Sequence, residues 1–439
     1  MTEVACNPAK GWILAAPASN SGKTLVSSAL LRLLRREDGS ITPYKVGPDY
    51  IDPGFLSAAA GAVCRNLDPW AMAPARLAQL LGAADNRFLI EGVMGLFDGA
   101  VSGDGSTADL AAALQLPVVL VISTKGQGAS VAALAQGFAN FRADVNVAGV
   151  IFTQIASPRH RKLVVDACAA AGIRVFGVLA SDPALVLRER HLGLVQARER
   201  ADLDTMLDHA ADVLARDVDL DGLADIASAP IFGDRTASPV LPVLGQRIAV
   251  AQDIAFGFSY PHVIADWRSS GAEVSFFSPL ADEAPAQNVD AVYLPGGYPE
   301  LHAAALSANT NFLAGLRHAA QRGAVILGEC GGYMVLGHGF VDGVGTSHPM
   351  AGLLDLETSF AKRKLHLGYR QMTLRSPGVL GAIGTQYRGH EFHYATVLRE
   401  AGEPLYTVRD ALGEQESQVG LRSGNIMGSF IHLIDIGQA

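Results

Sequence analysis

Short apolar runs recur along this chain, each long enough for one buried strand and each followed by a segment rich in Ala and Leu. The first is Gly11 to Ala16, and a turn then leads into a helix-patterned segment from about Lys23 to Arg36. Further runs are Arg87 to Ile90, Pro117 to Ile122, Val147 to Phe152 and Val175 to Leu179. Strands that are apolar throughout and separated by helices belong in a parallel sheet covered on both faces. The rhythm breaks between Asp219 and Gly245, where S-P-V-L-P-V-L-G carries two prolines and a closing glycine and resists a helix. A second alternation begins at Arg247 to Ala251 and continues near Val274 to Phe277, Ala291 to Leu294 and Ala324 to Leu327. With 439 residues, too many for one ordinary core, the chain reads as α/β with two doubly wound domains. The expected boundaries are 8–225 and 246–439, with a linker over 226–245.

Composition removes several function classes. A chain 49% hydrophobic and 18% charged suits buried cores and not a disordered polymer. A net charge of −9 argues against a nucleic-acid surface. The four cysteines (Cys6, Cys64, Cys168, Cys330) are far apart and form no C-x-x-C pair, so neither a disulfide framework nor a zinc site is expected and a reducing cytoplasm is. No basic segment followed by a longer apolar stretch opens the chain, so no signal peptide is expected. Runs such as Leu116 to Ile122 fall far short of the roughly 20 residues of a membrane helix. Neither nucleic acid nor membrane is an expected partner.

The first strand and helix are joined by A-P-A-S-N-S-G-K-T, Ala16 to Thr24. A strand, such a turn and a helix start form the context in which backbone N–H groups surround phosphates. Ser19, Asn20, Ser21, Gly22, Lys23 and Thr24 are the candidate ATP site, with Lys23 on the β- and γ-phosphates and Thr24 on Mg²⁺; Pro17 takes the place of the usual first glycine. Glu91 ends a strand in R-F-L-I-E-G-V-M-G-L-F-D-G, where a carboxylate at the sheet edge can hold Mg²⁺. Y-K-V-G-P-D-Y-I-D-P, Tyr44 to Pro53, packs Lys45, Asp49 and Asp52 into a Gly/Pro-rich loop. Charges on such a loop are ordinarily just solvated. Following a second strand, on the edge that carries the phosphate loop, they become an acceptor-site candidate.

In the second half, A-V-I-L-G-E-C-G-G-Y-M-V-L-G sets Cys330 on a glycine-flanked turn between strand and helix. That is the form of a nucleophile elbow, and small neighbours are what such a strained turn requires. A lone cysteine is more often buried and inert. His432, in G-S-F-I-H-L-I-D, supplies the base a thiol needs. L-P-G-G-Y-P-E places Gly297 at another strand's end, where its N–H and that of Gly331 can form an oxyanion hole. Y-R-G-H-E-F-H-Y, Tyr387 to Tyr394, is dense in polar and aromatic groups and reads as lining for the interface of the halves.

Taken together, P-D-Y-I-D-P, E-G-V-M-G-L-F-D-G, L-P-G-G-Y-P-E, G-E-C-G-G-Y, G-H-E-F-H-Y and the late Ser-x-x-His resemble the cobyrinic acid and hydrogenobyrinic acid a,c-diamide synthase family almost end to end. The resemblance implies a dethiobiotin-synthetase-like, P-loop ATPase domain followed by a class I glutamine amidotransferase (flavodoxin-like) domain. It implies ATP-dependent amidation of the a- and c-carboxylates of a corrin-type acid through acyl phosphates, with L-glutamine as ammonia source, in cobalamin biosynthesis. Cys330 is then the nucleophile and His432 its activator. Lys23 lies on phosphate, with Thr24, Asp49 and Glu91 around Mg²⁺ and Lys45, Tyr50, Asp52 and Asp98 toward the acceptor. A homodimer is implied by the resemblance alone. Ile434 stands where ordinary class I amidotransferases carry a glutamate, as it does in a Cys–His branch; Asp435 is close by, but no role rests on it. Asn20 and Thr153 depart from the family pattern in the phosphate loop and nucleotide-base region. Rival readings are cobyric acid synthase, a nickel-sirohydrochlorin diamide synthase, a non-catalytic tetrapyrrole binder, and a partitioning-type ATPase. The last would carry a lysine at Ala18.

Overall fold

A computed structural model describes residues 8–437 apart from 85, 186, 188, 191–192, 234–235 and 237, so Cys6 lies outside the described residues. The chain divides into two compact units, residues 1–238 and 239–439.

The first unit is built on a seven-stranded sheet. Its strands are β1 (Lys10–Ala15), β2 (Thr42–Val46), β3 (Arg65–Leu67), β4 (Arg87–Glu91), β5 (Val118–Ser123), β6 (Val147–Ile155) and β7 (Val175–Ala180). All neighbours are parallel, in the order β3-β2-β4-β1-β5-β6-β7. The central strands are buried nearly throughout, which is why their sequences lack polar alternation. Strand order reverses direction about β1, and the carboxyl ends of β1, β2 and β4 converge there, where an open α/β sheet offers its ligand crevice. Helix α1 (Lys23–Asp38) leaves the β1 end and α2 (Asp52–Ala60) leaves the β2 end. Helix α3 (Thr107–Leu114) is held by a capping box between Ser106 and Asp109. Arg32 and Arg36, one turn apart on α1, face Asp204, Asp208 and Asp212 on α4 (Leu203–Asp217). Such exposed pairs contribute only about 0–1 kcal/mol each, so they set orientation more than stability.

Where the alternation breaks at Asp219 the chain forms a short helix, Leu220–Ile226, capped by Asp219 Oδ1 accepting from Gly222 N–H at 2.9 Å. Cap chemistry outweighs its acidic, Gly-containing composition. Beyond it, Ser228 exchanges backbone hydrogen bonds with Gly11, and Ile231 N–H donates to Leu114 O, so the chain stays on the first unit through residue 231. Leu241 and Leu244 are buried, and Pro242 O accepts from Trp267 Nε1 at 3.0 Å within the second unit.

The second unit holds a ten-stranded sheet. Its strands are β8 (Arg247–Ala251), β9 (Glu273–Phe277), β10 (Ala291–Leu294), β11 (Val325–Glu329), β12 (His366–Leu374), β13 (Gln386–His393), β14 (Glu403–Arg409), β15 (Ser417–Ser423), β16 (Ile426–Ser429) and β17 (Ile431–Ile436). The order is β9-β8-β10-β11-β16-β15-β14-β12-β13-β17. The first five are parallel and the rest antiparallel. Helix α5 (Gly331–Leu336) leaves the end of β11 and is buried along its whole length. Phe312, Leu316, Ile326, Tyr333 and Leu336 centre its core. Among the described residues no helix is long and apolar enough to cross a membrane.

α5 can sit on the sheet only because Gly332 has no side chain: a Cβ there would lie 1.9 Å from Leu294 O, a backbone atom that cannot step aside. Gly332→Ala is expected to destabilise the second unit by about 3 kcal/mol, the upper end of overpacking costs. The readout is faster hydrogen exchange in peptides spanning 325–336, with first-unit peptides unchanged. Gly137→Ala, in the helix Ser130–Asn140 with nothing within 4 Å of its added Cβ, is the control and is expected to stabilise slightly.

Candidate functional site

In the first unit the loop after β1 is tied down from both sides. Ser21 Oγ donates to Ala18 O at 2.8 Å, and Thr153 Oγ1, reaching from β6, donates to Ser21 O at 2.9 Å. Asn20 and Gly22 adopt positive φ, 62° and 87°, so the backbone curls into a concave turn of the kind that gathers N–H groups. Lys23 opens α1 almost wholly buried and donates to Met94 O. Burial, and then the charge of Lys45, brings its ammonium down to about 8. Thr24 Oγ1 donates to Glu91 Oε1 at 3.2 Å.

Beside that loop lies a buried charge cluster. Lys45 Nζ is 2.6 Å from Glu91 Oε1, 2.5 Å from Asp52 Oδ2 and 3.5 Å from Asp49 Oδ2, with the lysine only 2% exposed. Burial opposes its charge, but three carboxylates outweigh burial and hold the ammonium well above its ordinary value. Burial likewise opposes the Asp52 charge, and Lys45 prevails, keeping that carboxyl below its ordinary value. Burial raises Glu91, and burial together with the Asp52 charge raises Asp49 to about 7. Asp49 Oδ1 also accepts from Ile51 and Asp52 N–H, just ahead of α2, at 2.8 and 3.0 Å. Glu91 Oε2 is buried without a hydrogen-bond partner. A cavity of about 810 Å³ runs between Asn20, Lys23 and Thr24 on one wall and Lys45, Asp49 and Asp52 on another.

In the second unit Cys330 stands at the end of β11 with φ 48° and ψ −106°, a conformation a non-glycine residue holds only under constraint. Its N–H donates to Ser429 O at 2.8 Å, and its Sγ lies 3.8 Å from Phe392 O. His432 is on β17, opposite His390 of β13. Gly296 is pressed between the two reactive side chains: a Cβ there would be 2.8 Å from His432 Nε2 and 3.1 Å from Cys330 Cβ. On the other side, a Cβ on Gly331 would be 3.3 Å from Gly297 N, so those two amides border one small space. Burial, then the Glu300 charge, pushes the Cys330 thiol well above its ordinary value, with the Gly331 N–H pulling the other way. Burial, then His390 and His393, pushes His432 down to about 3. The resting pair is therefore a neutral thiol beside a neutral imidazole.

The structure thus brings Ser19, Asn20, Gly22, Lys23, Thr24, Lys45, Asp49 and Asp52 to one cavity, with Glu91 buried behind Thr24 and Lys45, to which it is hydrogen-bonded, and it brings Cys330, His432, Gly297 and Gly331 together. Asp98 is exposed and its Oδ2 accepts from Gly95 N–H at 2.8 Å, closing a turn. Tyr50 is half-buried on the acidic loop. Thr153 serves the phosphate loop as a buttress. The Tyr387–Tyr394 segment, read above as interface lining, supplies His390 and His393 beside His432 and Phe392 beside Cys330. Two residues escaped the sequence reading. Glu329 Oε2 lies 3.8 Å from His432 Nδ1, although nothing in G-E-C-G-G-Y marks its direction. Gly296 hid within a Gly-Gly pair of which only the second was singled out.

A phosphate-loop unit followed by a Cys–His elbow unit is the plan of a glutamine amidotransferase joined to a nucleotide-binding synthetase. Residues 247–437 match the CobB/CobQ-like glutamine amidotransferase domain, and residues 12–194 match the CobQ/CobB/MinD/ParA nucleotide binding domain. The hydrogenobyrinate a,c-diamide synthase of Brucella anthropi is 52% identical over 97% of this chain and 98% of its own length. That of Rhizobium meliloti is 53% identical over 98% of this chain and all of its own. The enzyme of the same name from Rhodobacter capsulatus is 48% identical, covering 97% and 98%. The chain belongs to the hydrogenobyrinate a,c-diamide synthase family and is a glutamine-dependent amide ligase.

Because the thiol is raised and the imidazole lowered, Cys330 is expected to react slowly with iodoacetamide near neutral pH. Its rate should climb about tenfold per pH unit from 7 to 9 without a plateau, as the thiolate fraction does below a thiol's pKa. Peptide mass mapping of the alkylated cysteine measures this; a plateau already present at pH 7 would signify a preformed ion pair.

Proposed function

We propose that this chain converts hydrogenobyrinic acid to its a,c-diamide, activating each carboxylate with ATP and drawing nitrogen from L-glutamine. The observation that carries the reading is that two complete candidate sites occur in a chain matching, over nearly its full length, relatives that bear this reaction's name. ATP and the acceptor acid bind within 8–225 and glutamine within 246–439, the halves being joined by 226–245. Within this reading the enzyme works in the cytoplasm, as a homodimer.

The residues present suit Mg²⁺, a hard cation that prefers oxygen ligands. Thr24 Oγ1 and a Glu91 carboxylate with one buried oxygen left over adjoin Asp49, whose carboxyl is held near neutrality. When bound there, Mg²⁺ supplies charge neutralisation for phosphates. The loop amides of Ser19 to Gly22 cradle the phosphates, and Lys23 meets their charge with an ammonium that the anion itself returns to full protonation. An acceptor carboxylate near Lys45, Tyr50, Asp52 and Asp98 attacks the γ-phosphorus, ADP leaves, and an acyl phosphate remains.

At the other site the Cys330 sulfur attacks the side-chain amide carbon of glutamine while its proton passes to His432. The Gly297 and Gly331 N–H groups hold the oxyanion. Carbon–nitrogen cleavage takes the proton back from His432 and releases ammonia, and water then frees glutamate from the thioester. Ammonia displaces phosphate from the acyl phosphate, giving the amide, and a second round completes the other carboxylate.

Incubation of hydrogenobyrinic and cobyrinic acids with ATP and glutamine, read by mass spectrometry, tests the proposal. The expected product is hydrogenobyrinic acid with two OH groups replaced by two NH₂ groups; no change on either acid would end this reading. Cys330→Ala is expected to lose glutamine-dependent amidation by at least about a thousandfold while keeping the ammonia-dependent reaction. Lys23→Ala should lower both by about a hundredfold or more.

A further inference from the structure

His432 has no carboxylate two residues later, where Ile434 stands, and Asp435 is occupied with the N–H of Ile436 at 2.9 Å. A different acid lies against the imidazole. We propose that Glu329, the residue immediately before Cys330, is a positioning residue that replaces the missing carboxylate, orienting His432 and stabilising its protonated form during turnover. The proposal rests on Cys330 and His432 being the reactive pair.

Glu329 Oε2 is 3.8 Å from His432 Nδ1, and both side chains are almost wholly buried. The carboxyl is also tied to the histidine's own strand: Oε1 accepts from the N–H of Leu433 at 3.1 Å. Tyr293 O–H donates to Oε2 at 2.7 Å and fixes the rotamer from β10. A shift of β17 would therefore carry His432 and the anchor of Glu329 together. The surroundings are otherwise apolar, with Leu327, Leu380, Leu433 and Trp267 lining the same pocket. Burying a carboxyl there costs several kcal/mol unless a partner compensates it. An imidazolium formed as Cys330 attacks would be that partner, at ionic-contact distance in a medium where charge is poorly screened.

Burial raises the Glu329 carboxyl to about 7, with Tyr293 and Leu433 N–H pulling it back. Below that pH the group is neutral and cannot support an imidazolium, so glutamine hydrolysis should fall as pH drops through about 7. The other titratable groups facing this pair are Tyr293, Tyr406 and Cys330 around Glu329, and His390 and His393 around His432.

The test is steady-state glutamate release from glutamine by the full chain across pH 5.5 to 9, which needs no corrin acid. Glu329→Gln keeps the side chain's shape and an acceptor for Leu433 N–H while removing the charge. It is expected to lower kcat about a hundredfold, leave KM unchanged, and abolish the acid limb near pH 7. This is less than the roughly 10⁴-fold seen for a serine-protease triad acid, because 3.8 Å is an ionic contact and not a hydrogen bond. Thermal melting checks that the variant folds. Tyr293→Phe carries the test if it does not: losing the hydroxyl should move the acid limb to higher pH. A Glu329→Gln enzyme within twofold of wild-type kcat with its acid limb in place would overturn the proposal, as would an acid limb unmoved by Tyr293→Phe. A wild-type chain that releases no glutamate would overturn the Cys–His pair itself. Failure of corrin amidation with glutamate release intact would strike only the substrate assignment.

Discussion

The second unit's site depends on backbone meeting backbone. Gly332 lies where any Cβ would enter the Leu294 carbonyl, Gly328 where one would meet Gly332 and Leu336, and Gly296 where one would strike His432. Removing those side chains lets α5 start directly over the ends of β10 and β11. That start forces Cys330 into its φ of 48°, with the Ser429 carbonyl holding its N–H from β16. The strain, on the order of 1–3 kcal/mol, is sustained by the packing of α5 into the core. The same closeness puts the amides of Gly297 and Gly331 around one space. The elbow, the imidazole contact and the pair of donors are one consequence of three absent side chains.

The first unit solves a different problem with charge. Three carboxylates gather at the ends of β2 and β4, and without a cation they would repel one another in a poorly solvated place. Lys45 supplies that cation from the end of β2, and the lysine is too buried to serve as a free ligand without giving up Asp52 or Glu91. Its effect reaches Lys23, whose ammonium is lowered by burial and by Lys45 together. The phosphate loop and the acidic loop thus share one electrostatic system, and a change at either alters the protonation of the other.

Much of this was legible because the central parallel strands are apolar along most of their length: β1, β5, β8 and β10 could be read off as runs dominated by Val, Ile, Leu and Ala. The antiparallel half of the second sheet could not. β12 reads H-L-G-Y-R-Q-M-T-L and is half-exposed along most of its length, so its alternation is blurred by polar residues on both faces. The elbow was visible because strained turns select glycine, and the phosphate loop because G-K-T needs a helix start. Glu329 was invisible because sequence adjacency to Cys330 says nothing about where its carboxyl points. That direction follows from β17 folding back beside β13 and presenting Leu433 N–H. His390 and His393 were noticed as a polar cluster, but their place beside His432 depends on the same long-range pairing.

Both sites hold their reagents close to neutral. Burial keeps Cys330 a thiol and His432 an imidazole, raises Glu329 to about 7, and brings Lys23 to about 8 and Asp49 to about 7. Glu329, Lys23 and Asp49 titrate close enough to neutral pH that an incoming charge can change their state. A polyphosphate beside Lys23 favours the ammonium, and a forming imidazolium beside Glu329 favours the carboxylate. The neutral thiol of Cys330 and imidazole of His432 need little solvation, which is why they can be buried at all. A buried thiol that ionises only as its electrophile arrives is also a poor target for adventitious oxidation, since the thiolate is the reactive species. Burial, which looks like an obstacle to catalysis at Cys330, is therefore what confines its reactivity to the moment a substrate carbonyl occupies the space between Gly297 and Gly331.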